Sequence, residues 1–230
     1  MEIESTSNRG RAWRDSRWLV LVELALVIAV YVARRHRILK VSATPYLLLL
    51  AWISLRVRRV QWKQIGFTRY RSWATTLLLG IACGVGLELF DLFGKQPLLT
   101  RLLGKPPDLS NFAAVRGNLK FALVMIGLIW IFAAFGEELV YRGYMMNRIA
   151  DLCRGTRTAW IVSLCLISAL FGLSHYQQGI TGIVEEGSDG LILGLMYLAS
   201  GRNLAIPIVA HGVCDTIDIA LLFLGKYPGL

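Results

Sequence analysis

The chain has 230 residues, 55% of them hydrophobic and 17% charged, with a mean hydropathy of +0.54. A soluble domain carries about a quarter charged residues, so this balance excludes an ordinary soluble enzyme and predicts an all-α, polytopic membrane helix bundle. The net charge of +10 does not point to nucleic acid, because Lys and Arg gather in short loops between apolar runs, as expected beside anionic lipid headgroups.

Residues 1–17 form a polar N-terminal segment rich in arginine. The apolar run 18–33 follows, with Glu23 inside it and no small-residue cleavage site after it, so it reads as a retained first helix and not a signal peptide. A second run, 41–55, opens on Thr44-Pro45, which suits a first helical turn. The basic loop 56–71 carries Trp62 and Tyr70 as interfacial anchors. A third span covers 73–93, with Gly80, Gly84 and Gly86 permitting close helix approach. Glu88 and Asp91, near its end, are expected at a loop or interface. Residues 95–118 then read as a long polar connection with Pro97, Pro106 and Pro107, either a surface loop or a cover over a cavity mouth.

Residues 119–149 read as one long helix, and a basic turn at 148–157 leads to a fifth span at 158–173. The stretch 180–200 is broken by glycines and interrupted by Glu185, Glu186 and Asp189. Its first part is therefore expected to be re-entrant or interfacial, with a short apolar helix at 191–199. A last span, 204–224, contains His211, Asp215 and Asp218. The count is seven or eight transmembrane helices, and the Lys and Arg distribution places the N-terminus in the cytoplasm. The four cysteines, Cys83, Cys153, Cys165 and Cys214, include no CxxC pair, so neither a disulfide framework nor a metal knuckle follows.

Chemistry concentrates on three apolar helices. Phe135-Gly136-Glu137-Glu138-Leu139-Val140-Tyr141-Arg142 puts two carboxylates and an arginine at the end of an apolar run. Glu138 and Arg142 are four apart and can pair on one face, while Glu137 points about 100° away. His175 and His211 are two of three histidines in the chain, and Asp215 lies one turn after His211. Ionisable groups avoid lipid, so these residues are expected to converge on an interior cavity. Carboxylate and imidazole together suit activation of water, with Glu137 as general base and the imidazoles positioning water or stabilising an oxyanion. Taken singly, each feature is equally well explained by interhelical hydrogen bonding and ion pairing.

The motifs Glu137-Glu138-x-x-x-Arg142, Phe171-x-x-x-His175 and His211-x-x-x-Asp215, in that order, resemble those of the CPBP (Abi, or CAAX-protease-like) intramembrane endopeptidases, related to the type 2 CAAX prenyl protease. The resemblance covers residues 119–219 and makes 18–118 an N-terminal set of helices and 119–225 a catalytic core. It implies eight helices, a cavity open to the cytosolic side, and cleavage of a prenylated CAAX-like protein, a membrane-anchored protein or a small peptide. It also implies Glu137 as base, Glu138 and Arg142 in support, His175 on the water, and His211 with Asp215 at the oxyanion. The prenyl proteases have Asn where this chain has Asp215, and an ionised Asp donates no proton. No cofactor is expected. The zinc alternative takes Glu137, His175 and His211 as ligands. The expected location is the bacterial inner membrane, with lipid and substrate as partners and no nucleic acid. A non-catalytic scaffold or immunity protein binding a peptide in the same cavity is the alternative from another class. A proton-coupled transporter is a third, opposed by the lack of an inverted repeat.

Overall fold

The computed structural model describes residues 13, 14 and 16–228, so most of the polar segment 1–17 lies outside the described residues. The described residues are all-helical, with no strand among them. Seven helices follow one another: α1 (Arg17–Arg35), α2 (Thr44–Arg58), α3 (Trp73–Leu103), α4 (Leu119–Leu152), α5 (Arg157–Ser174), α6 (Gly179–Ala199) and α7 (Ala205–Leu224). Side chains of Ser16, Ser72, Asn118 and Thr156 accept hydrogen bonds from first-turn amides and so start α1, α3, α4 and α5. Gly104 and Gly225 end α3 and α7 at φ 80° and 64°, a left-handed conformation that glycine takes without a Cβ penalty.

Four helices, α3, α4, α5 and α7, are long and apolar enough to cross a membrane. The other three fall short for identifiable reasons. Helix α2 has only 15 residues, α1 carries Glu23 between terminal arginines, and α6 holds three carboxylates. Leucines such as Leu78 and Leu123 are exposed on the outside, whereas Glu23, Glu88, Asp91, Lys95, Glu138 and Arg142 are buried. That inversion is what a bilayer solvent selects. Glu23 is explained by α2: its carboxylate takes Arg58 Nε at 2.8 Å and the Ser54 hydroxyl at 2.6 Å.

Packing fixes the direction of each helix. Glycines of α6 and α5 meet in reverse order: Gly172 faces Ile183 and Gly187, Gly190 faces Phe171, and Gly194 faces Leu164. Helices α5 and α6 are thus antiparallel along their whole length, and α6 is one unbroken helix. The expected re-entrant break is absent, because Glu185, Glu186 and Asp189 face a protein cavity and not lipid. Helix α7 runs parallel to α3, with Gly80 on Val209, Gly84 on Ala210 and Val213, and Glu88 on Cys214. It runs antiparallel to α4, with Gly143 near Leu204, Glu138 on His211 and Trp130 on Thr216.

The bundle therefore has two ends. At one, Leu204 N–H donates to Gly66 O at 2.7 Å and Asn203 Nδ2 to Thr68 O at 2.7 Å. At the other, Asp108 N–H donates to Gln178 O at 2.9 Å and Thr181 Oγ1 to Lys105 O at 2.7 Å. Helix α3 runs well past 93, so the polar connection shrinks to 104–118. There Asp108 accepts from Ser110, which holds its carboxyl below the usual range.

Candidate active site

The motif helix α4 is not regular. Ile129–Glu137 and Leu139–Met146 are wound as π-helix, with i→i+5 hydrogen bonds. The wider winding turns more side chains inward, and residues 138–148 are buried on every side. Asn147 takes up the carbonyls that this winding leaves: its Nδ2 donates to Arg142 O and Gly143 O, each at 3.0 Å.

The two motif carboxylates separate as their spacing predicts. Glu138 and Arg142 are fully buried, and Arg142 Nη1 donates to Glu138 Oε1 at 2.6 Å. Arg142 Nη2 donates to Gly190 O of α6 at 2.9 Å, and the guanidinium lies 4.9 Å over the Phe171 ring. The same Glu138 Oε1 accepts from His211 Nδ1 at 2.9 Å, a contact spanning 73 positions that no local spacing reveals. Glu137 instead lines a cavity of about 550 Å³ that also exposes His175, His211 and Asp215. A second cavity of about 470 Å³ shares Glu137 and His175 with the first. Thr44 Oγ1 of α2 donates to Glu137 at 3.3 Å, a partner that the sequence did not single out.

Phe171 organises the histidines. Its ring centroid lies 4.9 Å from that of His175 and 6.1 Å from that of His211. Its carbonyl accepts from His175 Nδ1 at 2.9 Å, which assigns the proton to Nδ1 and turns Nε2 towards Glu186 Oε2 at 3.9 Å. Glu186 is a second neighbour missed from sequence, where it read only as an interruption of a span. His211 has a carboxylate on each nitrogen, with Asp215 Oδ2 3.5 Å from Nε2. Pro107, Leu109 and Phe112 of the 104–118 connection line the larger cavity, so this connection covers it.

The zinc alternative takes Glu137, His175 and His211, which all line the larger cavity. His211 presents Nδ1 to Glu138, the carboxylate contact that a ligating imidazole commonly makes through its other nitrogen, and its Nε2 lies 3.5 Å from Asp215. Glu137, His175 and His211 do not bring three donors together; among the described residues the one such group is Glu88, Asp91 and Cys214. Glu88 and Asp91 were expected at an interface. Both are buried instead, because α7 lies against that face of α3 and the winding of α3 changes to π at Asp91.

A search of curated proteins and one of solved structures each return no match. Residues 119–217 match the family model described as "Rce1-like: Type II CAAX prenyl endopeptidase Rce1-like". That segment, less than half of the chain, begins with α4, runs into α7 and holds all three motifs. Residues 119–217 thus form a domain of the Rce1-like protease family, and the chain that carries it is a helical membrane protein.

Proposed function

We propose that the protein is an intramembrane endopeptidase in which Glu137 activates water without a metal. The observation that carries this reading is the division of labour within the motif: Glu138 is sealed by Arg142 and His211, while Glu137 stands beside His175 on the wall common to both cavities.

Glu137 accepts a proton from water held between it and the Nε2 lone pair of His175. The hydroxide adds to the scissile carbonyl. His211 serves as a double donor: Nδ1–H is fixed on Glu138, and Nε2–H, beside Asp215, turns to the oxyanion. Asp215 is the acceptor beside Nε2–H before substrate binds and gives that N–H up to the oxyanion, so it need donate nothing where the prenyl proteases have Asn. When the C–N bond breaks, the proton on Glu137 passes to the leaving amine, giving a free carboxylate and a free amine. The apolar wall of the larger cavity, with Leu128, Ile129, Phe132 and Leu222, suits a substrate with a lipid chain or apolar side chains next to the cut bond. A prenylated CAAX-like protein or a small apolar peptide fits that description.

The test is cleavage of farnesylated and plain peptides by purified protein in liposomes. Glu137→Gln should lower the rate by about 10²–10⁴-fold, the usual weight of general acid–base catalysis. It should leave the unfolding midpoint unchanged, and chelator should not alter the wild-type rate. Cleavage by Glu137→Gln at the wild-type rate would remove Glu137 from the role.

A further inference from the structure

We propose that Glu88, Asp91 and Cys214 form a binding site for a single divalent cation of the zinc class, separate from the Glu137 and His175 pair. It goes beyond the proposed proteolysis, and its readout does not depend on cleavage.

Helices α3 and α7 touch backbone to backbone at Gly80 and Gly84. One turn further along both helices, the contact becomes polar. Glu88 is 2% exposed, Asp91 9% and Cys214 8%, and one donor atom from each lies within 4.8 Å of the others. Zinc–ligand bonds of about 2.0–2.3 Å keep tetrahedral donors within roughly 4 Å of each other, so the three side chains need only close slightly.

The second observation is an orphaned atom. Cys214 Sγ donates to Glu88 Oε2 at 3.1 Å, but Glu88 Oε1, buried and lining the cavity, has no hydrogen-bond donor. Asp218 lines the same wall from α7 and its carboxyl lies within hydrogen-bond reach of that of Glu88, so two carboxyl groups meet there and need a proton or a cation between them. Lys95 is the basic side chain at this place, and it is already shared by Asp91, at 2.6 Å, and Asp189. A buried carboxylate oxygen facing other acceptors is costly unless something positive meets it. One thiol and two carboxylates suit a borderline-soft dication better than magnesium or calcium, which take all-oxygen shells. On binding, the cation replaces the thiol proton of Cys214, which leaves to solvent, and a thiolate–metal bond forms. The ion would then tie α3 to α7 one turn beyond His211.

The experiment uses the full chain in detergent, reduced and freed of metal, titrated with cobalt(II) and then zinc. One cobalt per chain, with a thiolate-to-cobalt charge-transfer band that zinc displaces, is the expected result. The band should disappear in Cys214→Ser, and affinity should fall at least tenfold in Glu88→Gln. Both should persist in His175→Ala and in a variant with Cys83, Cys153 and Cys165 all changed to Ala, so that a misfolded Cys214→Ser cannot decide the matter alone. Folded wild type that takes up no cobalt overturns the proposal, leaving a proton shared among the carboxylates as the compensating charge. So does a band lost with the other three cysteines, or an ion lost in His175→Ala and kept in Cys214→Ser.

Discussion

Glu138 Oε1 is where three helices meet, accepting Arg142 of its own helix at 2.6 Å and His211 of α7 at 2.9 Å, with Arg142 in turn bound to Gly190 of α6. With both side chains of the ion pair fully buried, losing one partner strands a charge, which costs about 3–5 kcal/mol. Arg142→Ala should therefore lower unfolding stability in micelles by about that amount. A Glu138→Gln, Arg142→Met double variant should recover much of it, because the buried pair goes together, the new glutamine can still accept from His211, and His211 keeps Asp215 as its anionic neighbour. If the double variant is as unstable as the single one, the pair is not what the energy depends on. The pair was legible in the sequence because it is an i,i+4 spacing on one helix, as was His211 with Asp215. The bond from Glu138 to His211 was not, since only tertiary packing brings residues 73 positions apart together.

At the scale of the helices, the crossing of α3 and α7 sets where His211 sits. A Cβ added to Gly84 would lie 2.5 Å from Ala210 O and 2.9 Å from Val213 Cβ, whereas one at Gly86 meets nothing within 4 Å. Gly84→Val should push the helices apart, costing on the order of 1–3 kcal/mol in overpacking and reducing cleavage by moving His211. Gly86→Val on the same helix should do neither, and thermal unfolding with a peptide assay separates the two. Equal behaviour of both variants would mean that Gly84 is not a packing position. The glycine pattern was readable as a close-approach face, but which glycine met a neighbour was not. Two other features hid from hydropathy. A carboxylate facing an interior cavity looks the same in sequence as one facing water, so α6 read as broken and Glu88 and Asp91 as peripheral. The π-turns changed which residues face inward without altering composition.

The whole molecule carries a conflict between two expectations. The loops 59–72 and 153–156 lie at the end where α1 begins, since α1 is antiparallel to α2 and Tyr31 near its far end meets Tyr141 of α4. The cavity mouths lie at the opposite end, with Ser42, Phe112 and Gln178 lining both. The basic residues of the first end, including Arg59, Lys63, Arg69, Arg71 and Arg154, lead the positive-inside rule to predict that this end is cytoplasmic. A cytoplasmic N-terminus and a cavity open to the cytosol, the arrangement implied by family resemblance, thus cannot both hold. The first is the expectation carried forward, because 59–72 and 153–156 hold Arg59, Lys63, Arg69, Arg71 and Arg154 against Arg37, Lys40, Lys105 and Arg116 in the loops 36–43 and 104–118 of the cavity end, a narrow excess. The expected outcome follows for thiol labelling with an impermeant maleimide. Cys153, exposed in the turn between α4 and α5, should react in inverted vesicles and be protected in right-side-out ones. Asn111→Cys, at the cavity end, should show the reverse. The opposite pattern would turn the molecule over, put the cavity in reach of cytosolic substrates, and show that its basic end is held against the charge rule by packing.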